Sequence, residues 1–158
     1  MTTDLTVILG AFLQELVSPL PSFVVFVPGG VALQAEHASI WHVLILTLVI
    51  AVVRVVAGLI LYGGAERIST WLFTKRKAKK QLERMRAKLS QKGSWWTIFI
   101  LWALPVVPST IISLGAGFVK VPLRTFVTAT YAGAIINALT YLLIGYYGLQ
   151  ASVTILGL

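Results

Sequence analysis

The sequence predicts an all-α integral membrane protein, an inverted-topology repeat in which each half is a re-entrant helical hairpin followed by one transmembrane helix. Three observations predict it. The 158 residues are 58% hydrophobic and only 11% charged, with a mean hydropathy of +0.89, which is more apolar surface than a water-soluble domain of this size needs. Nine of the 13 Lys and Arg fall in one block, 75–92, between apolar segments. The order of a broken apolar segment followed by a clean one occurs twice, once on each side of that block. The chain therefore reads as a single membrane domain over 1–158, with repeat one at 10–73, a basic linker at 74–94 and repeat two at 95–150.

The elements follow in order. The apolar run 5–13 has Asp4 at its head and no basic residues before it, which argues against a secretory signal. Residues 14–35 are apolar after Glu15 but carry Pro19, Pro21, Pro28, Gly29 and Gly30. Proline removes an amide donor and breaks a helix, and an unpaired backbone group in lipid costs several kcal/mol. Such a segment is tolerated only where it is buried in protein or lines a wet cavity. Residues 43–61 form a first clean span, with Trp41 and Tyr62 as flanking interfacial aromatics and Trp71 and Phe73 beyond. The linker 75–92 places Leu82, Met85 and Leu89 at helical spacing among basic residues, the pattern of a helix lying on an anionic leaflet or of a solvated topology determinant. Residues 95–119 are broken again, by Pro105, Pro108, Gly115 and Gly117, and 126–149 form the second span. The echoes "SPLPS" against "LPVVPS" and "LILYGG" against "LIGYYG" accompany the repeat.

Charge sets the orientation. A basic block beside spans marks the cytoplasmic side, so 75–92 is expected inside, in a multi-pass protein of the cell membrane. Lys120 and Arg124 follow the second broken segment and belong inside too. Segment 95–119 must then enter and leave on one face, with its tip near Pro105–Pro108. By parity the first hairpin enters from the outer face, and both chain ends lie outside. The two hairpins would meet near the midplane, their half-helix ends aimed at whatever binds there.

Few residues can carry chemistry. Arg54, in mid-span, costs about 2.5–3.5 kcal/mol even on the mild insertion scale and must face the interior. A guanidinium there suits a lipid phosphate, or a structural salt bridge to Glu15. Glu15 reads as a charge in the outer interface, or as a proton carrier if buried. Asn137 sits at a comparable depth in the second span and suits packing by a hydrogen bond across the bundle. Ser22, Ser109, Thr110 and Ser113 satisfy backbone groups freed by proline, or line a headgroup path. Glu36, His37 and His42 lack the spacing of a metal site, and no metal or other cofactor is expected. Ala129, Gly133, Ala134 and Ala138 form a small-residue seam for close helix packing, or for contact with a second copy in a homo-oligomer. With no Cys, thiol chemistry is excluded. No nucleophile triad, phosphate loop or paired carboxylate is present, so an enzyme is not expected, and neither is nucleic-acid binding.

Several of these motifs together resemble the DedA family, also called the SNARE-associated or VTT-domain family. They are Glu15 with "VPGG" at 27–30, then "PSTIISLGAGFVKVPLRTF" with Ala116, Gly117, Lys120, Arg124 and Phe126, and the closing "GYYG". The resemblance spans roughly residues 10 to 150. It implies a lipid flippase or scramblase moving phospholipid or polyprenyl-phosphate carriers, with anionic headgroups as partners. Substrate contacts are then expected from Arg54, Glu15, Ser109, Asn137, Lys120 and Arg124. The alternatives are a non-transporting membrane scaffold and a small-solute exporter. The chain departs from the family pattern at three places. Gly30 stands where an acid follows Pro-Gly, Ser109 where an arginine is usual, and Arg54 near the usual position of an Asp in the first span.

Overall fold

A computed structural model describes residues 2–17, 21–72, 93–104 and 108–156. All regular structure among them is helical: α1 Thr2–Val17, α2 Phe23–Ala35, α3 Ile40–Leu72, α4 Gly93–Ala103, α5 Ser109–Val119 and α6 Leu123–Leu156. The basic run 75–92, Ser18, Pro19, Phe73 and Pro105 lie outside the described residues.

Two apolar stretches are long enough to cross a membrane, Ile40–Ala65 in α3 and Leu123–Gly148 in α6. At 1.5 Å per residue each is about 39 Å long, against about 30 Å of hydrocarbon. The other four helices reach only about 16–24 Å and come in two pairs, α1–α2 and α4–α5. Pairing in α1–α2 is antiparallel. A Cβ on Gly29 would meet Val7, and one on Gly10 would meet Val25. Thr3 hydrogen-bonds Glu36 at the far end of the pair.

The first pair starts earlier than the sequence suggests. The run 5–13 is no separate lead-in but part of α1, because it is too short to span and finds its apolar partner in α2. A second correction concerns the breaks. Pro28, Gly29 and Gly30 do not break the chain: α2 runs through all three. Pro28 stands one turn into the helix, so only the amide partner of the Val24 carbonyl is lost. Gly115 and Gly117 likewise lie inside α5. The helices end instead at Val17 and Ala103, and the next ones begin at Phe23, with Pro21 just ahead of it, and at Ser109, with Pro108 as its cap.

The glycines serve packing. A Cβ at Gly30 would lie 2.2 Å from the Leu142 carbonyl oxygen, and one at Gly117 would lie 2.2 Å from that of Tyr62. Each lets the second helix of a pair press its backbone against the long helix of the other half, α2 on α6 and α5 on α3. The seam on α6 is spent inside the chain. A Cβ on Gly133 would meet Trp102 of α4, and Ala129, Ala134 and Ala138 are buried. That removes these residues from an outward-facing contact with a second copy.

Matching features recur 83 or 84 positions apart. Among the described residues, His37 and Lys120 are the non-glycine residues with positive φ, 54° and 57°. They close α2 and α5 in the same way: the amides of Ala38 and Val121 each donate to a carbonyl five residues back, Leu33 and Ala116, which is a Schellman motif. The next step is shared too. Tyr146 donates its hydroxyl to the Ala38 carbonyl at 2.7 Å, and Tyr62 donates to that of Val121 at 2.6 Å. Tyr62 is thus buried and bonded within the protein rather than lying at an interface. Two apolar clusters result, one around Trp102, Phe126 and Ile112, the other around Phe26, Leu33, Ile50 and Leu142.

Candidate functional site

Arg54 lies between these two clusters. Its guanidinium carbon stands 5.5 Å from the centroid of the Phe26 ring and 4.8 Å from that of Trp102. Both rings offer π faces that favour a cation. The side chain is 1% exposed, so it cannot snorkel to water.

Its polar partners come from every part of the fold. Nη1 donates to Asn137 Oδ1 of α6 at 2.9 Å. Nη2 donates to Ser109 Oγ of α5 at 3.2 Å and to Ser22 Oγ, just before α2, at 3.4 Å. Glu15, at the end of α1, brings Oε2 to 3.6 Å from Nη2. Both chain turns therefore arrive at one guanidinium halfway along α3. Arg54 and Asn137 stand 83 positions apart, the same offset that relates the two helix caps.

Glu15 is fully buried, which corrects its placement in the outer interface. Ser109 donates to its Oε2 at 2.5 Å and Ser113 to its Oε1 at 3.3 Å. The positive end of the α5 dipole lies beside this carboxylate. Thr110 donates to the backbone carbonyl of Glu15 at 2.9 Å, satisfying one of the carbonyls that the end of α1 leaves open. Thr110 thus serves the backbone, whereas Ser109 and Ser113 serve the charge. Ser22 precedes α2, yet its hydroxyl makes no cap bond. It accepts instead from Gln14 Nε2 at 3.2 Å and from Arg54.

In a medium without water such a pair is expensive. Desolvation of two ions costs several kcal/mol each, repaid only by close geometry and additional hydrogen bonds. Three serines and Asn137 supply those bonds. The arrangement holds one cation and one anion apart from solvent.

Of the residues singled out in the sequence, Arg54, Glu15, Ser109 and Asn137 come together, with Ser22 and Ser113. Lys120 and Arg124 do not. They sit near Tyr62 and Val121, two turns of α3 beyond Arg54, or about 12 Å, and Arg124 is exposed. At the opposite end Glu36 accepts from Thr3, and His42 hydrogen-bonds Asp4 at 2.8 Å. Sequence reasoning missed Phe26 and Trp102. Nothing marks them among the other aromatics, because their role depends on which ring faces α3.

Residues 20–147 match the family model described as the VTT domain. No curated protein matches the chain, and no solved structure does. The match covers α2, α3, α4, α5 and nearly all of the apolar part of α6, and takes in Arg54 and all its partners except Glu15. By that match, and by its two helices long and apolar enough to cross a bilayer, the chain is a membrane protein of the VTT-domain family, the DedA or SNARE-associated family.

Proposed function

We propose that the protein is a lipid transporter of the flippase or scramblase class, carrying phospholipid or polyprenyl-phosphate lipids between leaflets without chemical change. The observation that carries this reading is the buried Arg54 of α3, which Glu15 and Ser22 of the first helix pair, Ser109 of the second and Asn137 of α6 all contact. A cation at that depth is retained against a cost of a few kcal/mol, and a guanidinium matches phosphate oxygens in shape and charge. In this reading α1–α2 and α4–α5 are re-entrant hairpins entering from opposite faces, α3 and α6 are the spans, and Glu15 holds the place a headgroup phosphate takes during transfer. The repeated caps and tyrosine bonds support an inverted repeat of this kind. The basic run 75–92 then lies on the cytoplasmic face of the cell membrane, where it draws in anionic headgroups.

The test is headgroup translocation in proteoliposomes by wild type, Arg54→Lys and Arg54→Leu with Glu15→Gln. Wild type should translocate, and Arg54→Lys should retain part of the rate because charge remains without the fork. The double variant should fold and lose transfer. Full transfer by the double variant would remove Arg54 from the path. No transfer by wild type with any phosphate lipid would favour a scaffold that binds a partner.

A further inference from the structure

Arg54 has three nitrogens, and the protein engages two of them. Nη1 is held by Asn137 at 2.9 Å. Nη2 has the longer contacts, 3.2 Å to Ser109, 3.4 Å to Ser22 and 3.6 Å to Glu15. Nε finds no acceptor among the described residues, and neither does the indole N–H of Trp102. The two side chains are in contact, with 4.8 Å from the guanidinium carbon to the indole centroid, and Arg54 is 1% and Trp102 2% exposed. A buried donor without an acceptor is among the costlier defects a fold can carry. One oxyanion within reach of both would relieve the two defects together. A phenyl ring would offer Arg54 the same kind of face without the orphan N–H. Beside them, one turn along α3, stands Gly58. A Cβ there would meet Ser113 Oγ at 3.2 Å, Phe126 Cζ at 3.5 Å and Trp102 Cζ2, on the nitrogen side of the indole, at 3.8 Å. The absence of a side chain at Gly58 thus lets α3 pack close against the nitrogen side of the ring.

We propose that Trp102 is a ligand-binding residue of this site: its indole N–H and the Nε–H of Arg54 together receive the oxygens of a phosphate group. The choice of phosphate rests on the lipid-transfer reading. The pair of donors does not. A tetrahedral phosphate presents oxygens in different directions, so it meets a guanidinium edge and an indole N–H at once. Asn137 keeps Nη1 throughout and fixes the plane of the guanidinium. Trp102 is then the uncharged half of the recognition, selecting an acceptor-bearing headgroup where Arg54 selects its charge.

The experiment uses the full chain in maltoside micelles, which contain no phosphate, with its tryptophans labelled with nitrogen-15. The chain has five tryptophans, and Trp102→Phe assigns the indole signal of interest. Short-chain phosphatidic acid, inorganic phosphate and a diacylglycerol of the same chain length are titrated separately. The Trp102 indole signal should move saturably with phosphatidic acid and stay still with the diacylglycerol. A matching response to inorganic phosphate assigns the site to phosphate alone, and a response to phosphatidic acid only assigns it to the lipid. Trp102→Phe should weaken phosphatidic acid binding about tenfold, the effect of one hydrogen bond to a charged group, with an unchanged or higher Tm. A silent indole with both phosphates overturns the proposal, as does Trp102→Phe binding like wild type. A shifted indole in a protein that moves no lipid keeps the site and removes the transport reading. Lipid transfer with a silent indole does the reverse.

Discussion

Arg54 and Glu15 hold each other in a medium that tolerates neither alone. Removing one partner of a buried pair costs about 3–5 kcal/mol, whereas replacing both by neutral groups of similar volume is often harmless. Arg54→Leu should therefore lower thermal stability strongly by leaving Glu15 unpaired. Adding Glu15→Gln should recover most of the loss, read as Tm in detergent. If the single variant melts like wild type, the pair is not a structural element. The other charged contact behaves differently. Asp4, ahead of the apolar part of α1, hydrogen-bonds His42, and that bond holds its carboxyl below the usual value. A carboxyl with a depressed folded pKa stabilises the fold above its unfolded pKa, and the contribution fades as pH falls through the folded value. Asp4→Asn should flatten the acid limb of the stability–pH curve by lowering the plateau near neutrality, with the low-pH end unmoved, and the drop should be small because the contact lies at the surface.

Among the helices, backbone proximity decides which small residues matter. At Gly30 and Gly117 an added methyl meets a carbonyl oxygen of a long helix, and neither partner can rotate away as a side chain could. Gly30→Ala and Gly117→Ala should each cost about 1–3 kcal/mol, the usual range for overpacking, and should loosen α2 from α6 and α5 from α3. Gly63, Gly64 and Gly115 have nothing within 4 Å of a built Cβ. Alanine there should be neutral, or stabilising by about 0.5–1 kcal/mol, because it restricts the unfolded chain. Melting curves of the five variants separate the two groups. Equal effects in both would mean the helix contacts are looser than they stand here.

For the molecule as a whole, the decisive quantity is the side of the membrane on which each turn lies. Ser39 and Arg124 are exposed and flank α3 and α6 at their starts. An impermeant thiol reagent applied to cells should modify Ser39→Cys from outside and reach Arg124→Cys only after permeabilisation. The cysteine-free background makes the labelling unambiguous. Labelling of both from one side would exclude the inverted topology and, with it, the pair of opposed hairpins proposed to carry lipid.

The hydropathy of residues 40–65 and 123–148 by itself determined that two helices can span a bilayer, because length and apolar composition are local properties that no partner alters. The prolines at 21 and 108 marked breaks between helices, where a missing amide costs no intrahelical bond. Pro28, Gly29 and Gly30 could not be read this way. A proline one turn inside a helix is tolerated, and whether a glycine bends the chain or admits a neighbouring backbone depends on what packs against it, which here is α6. The charge of Arg54 was legible as a buried cation from its position alone. Its partners were not. Glu15 lies 39 residues away and Asn137 lies 83 away, and only the packing of α1 and α6 on α3 brings them together. The tertiary structure alone chose Phe26 and Trp102 from the aromatics, since which rings face a cation depends on how each helix is turned about its axis and on where its neighbour crosses it.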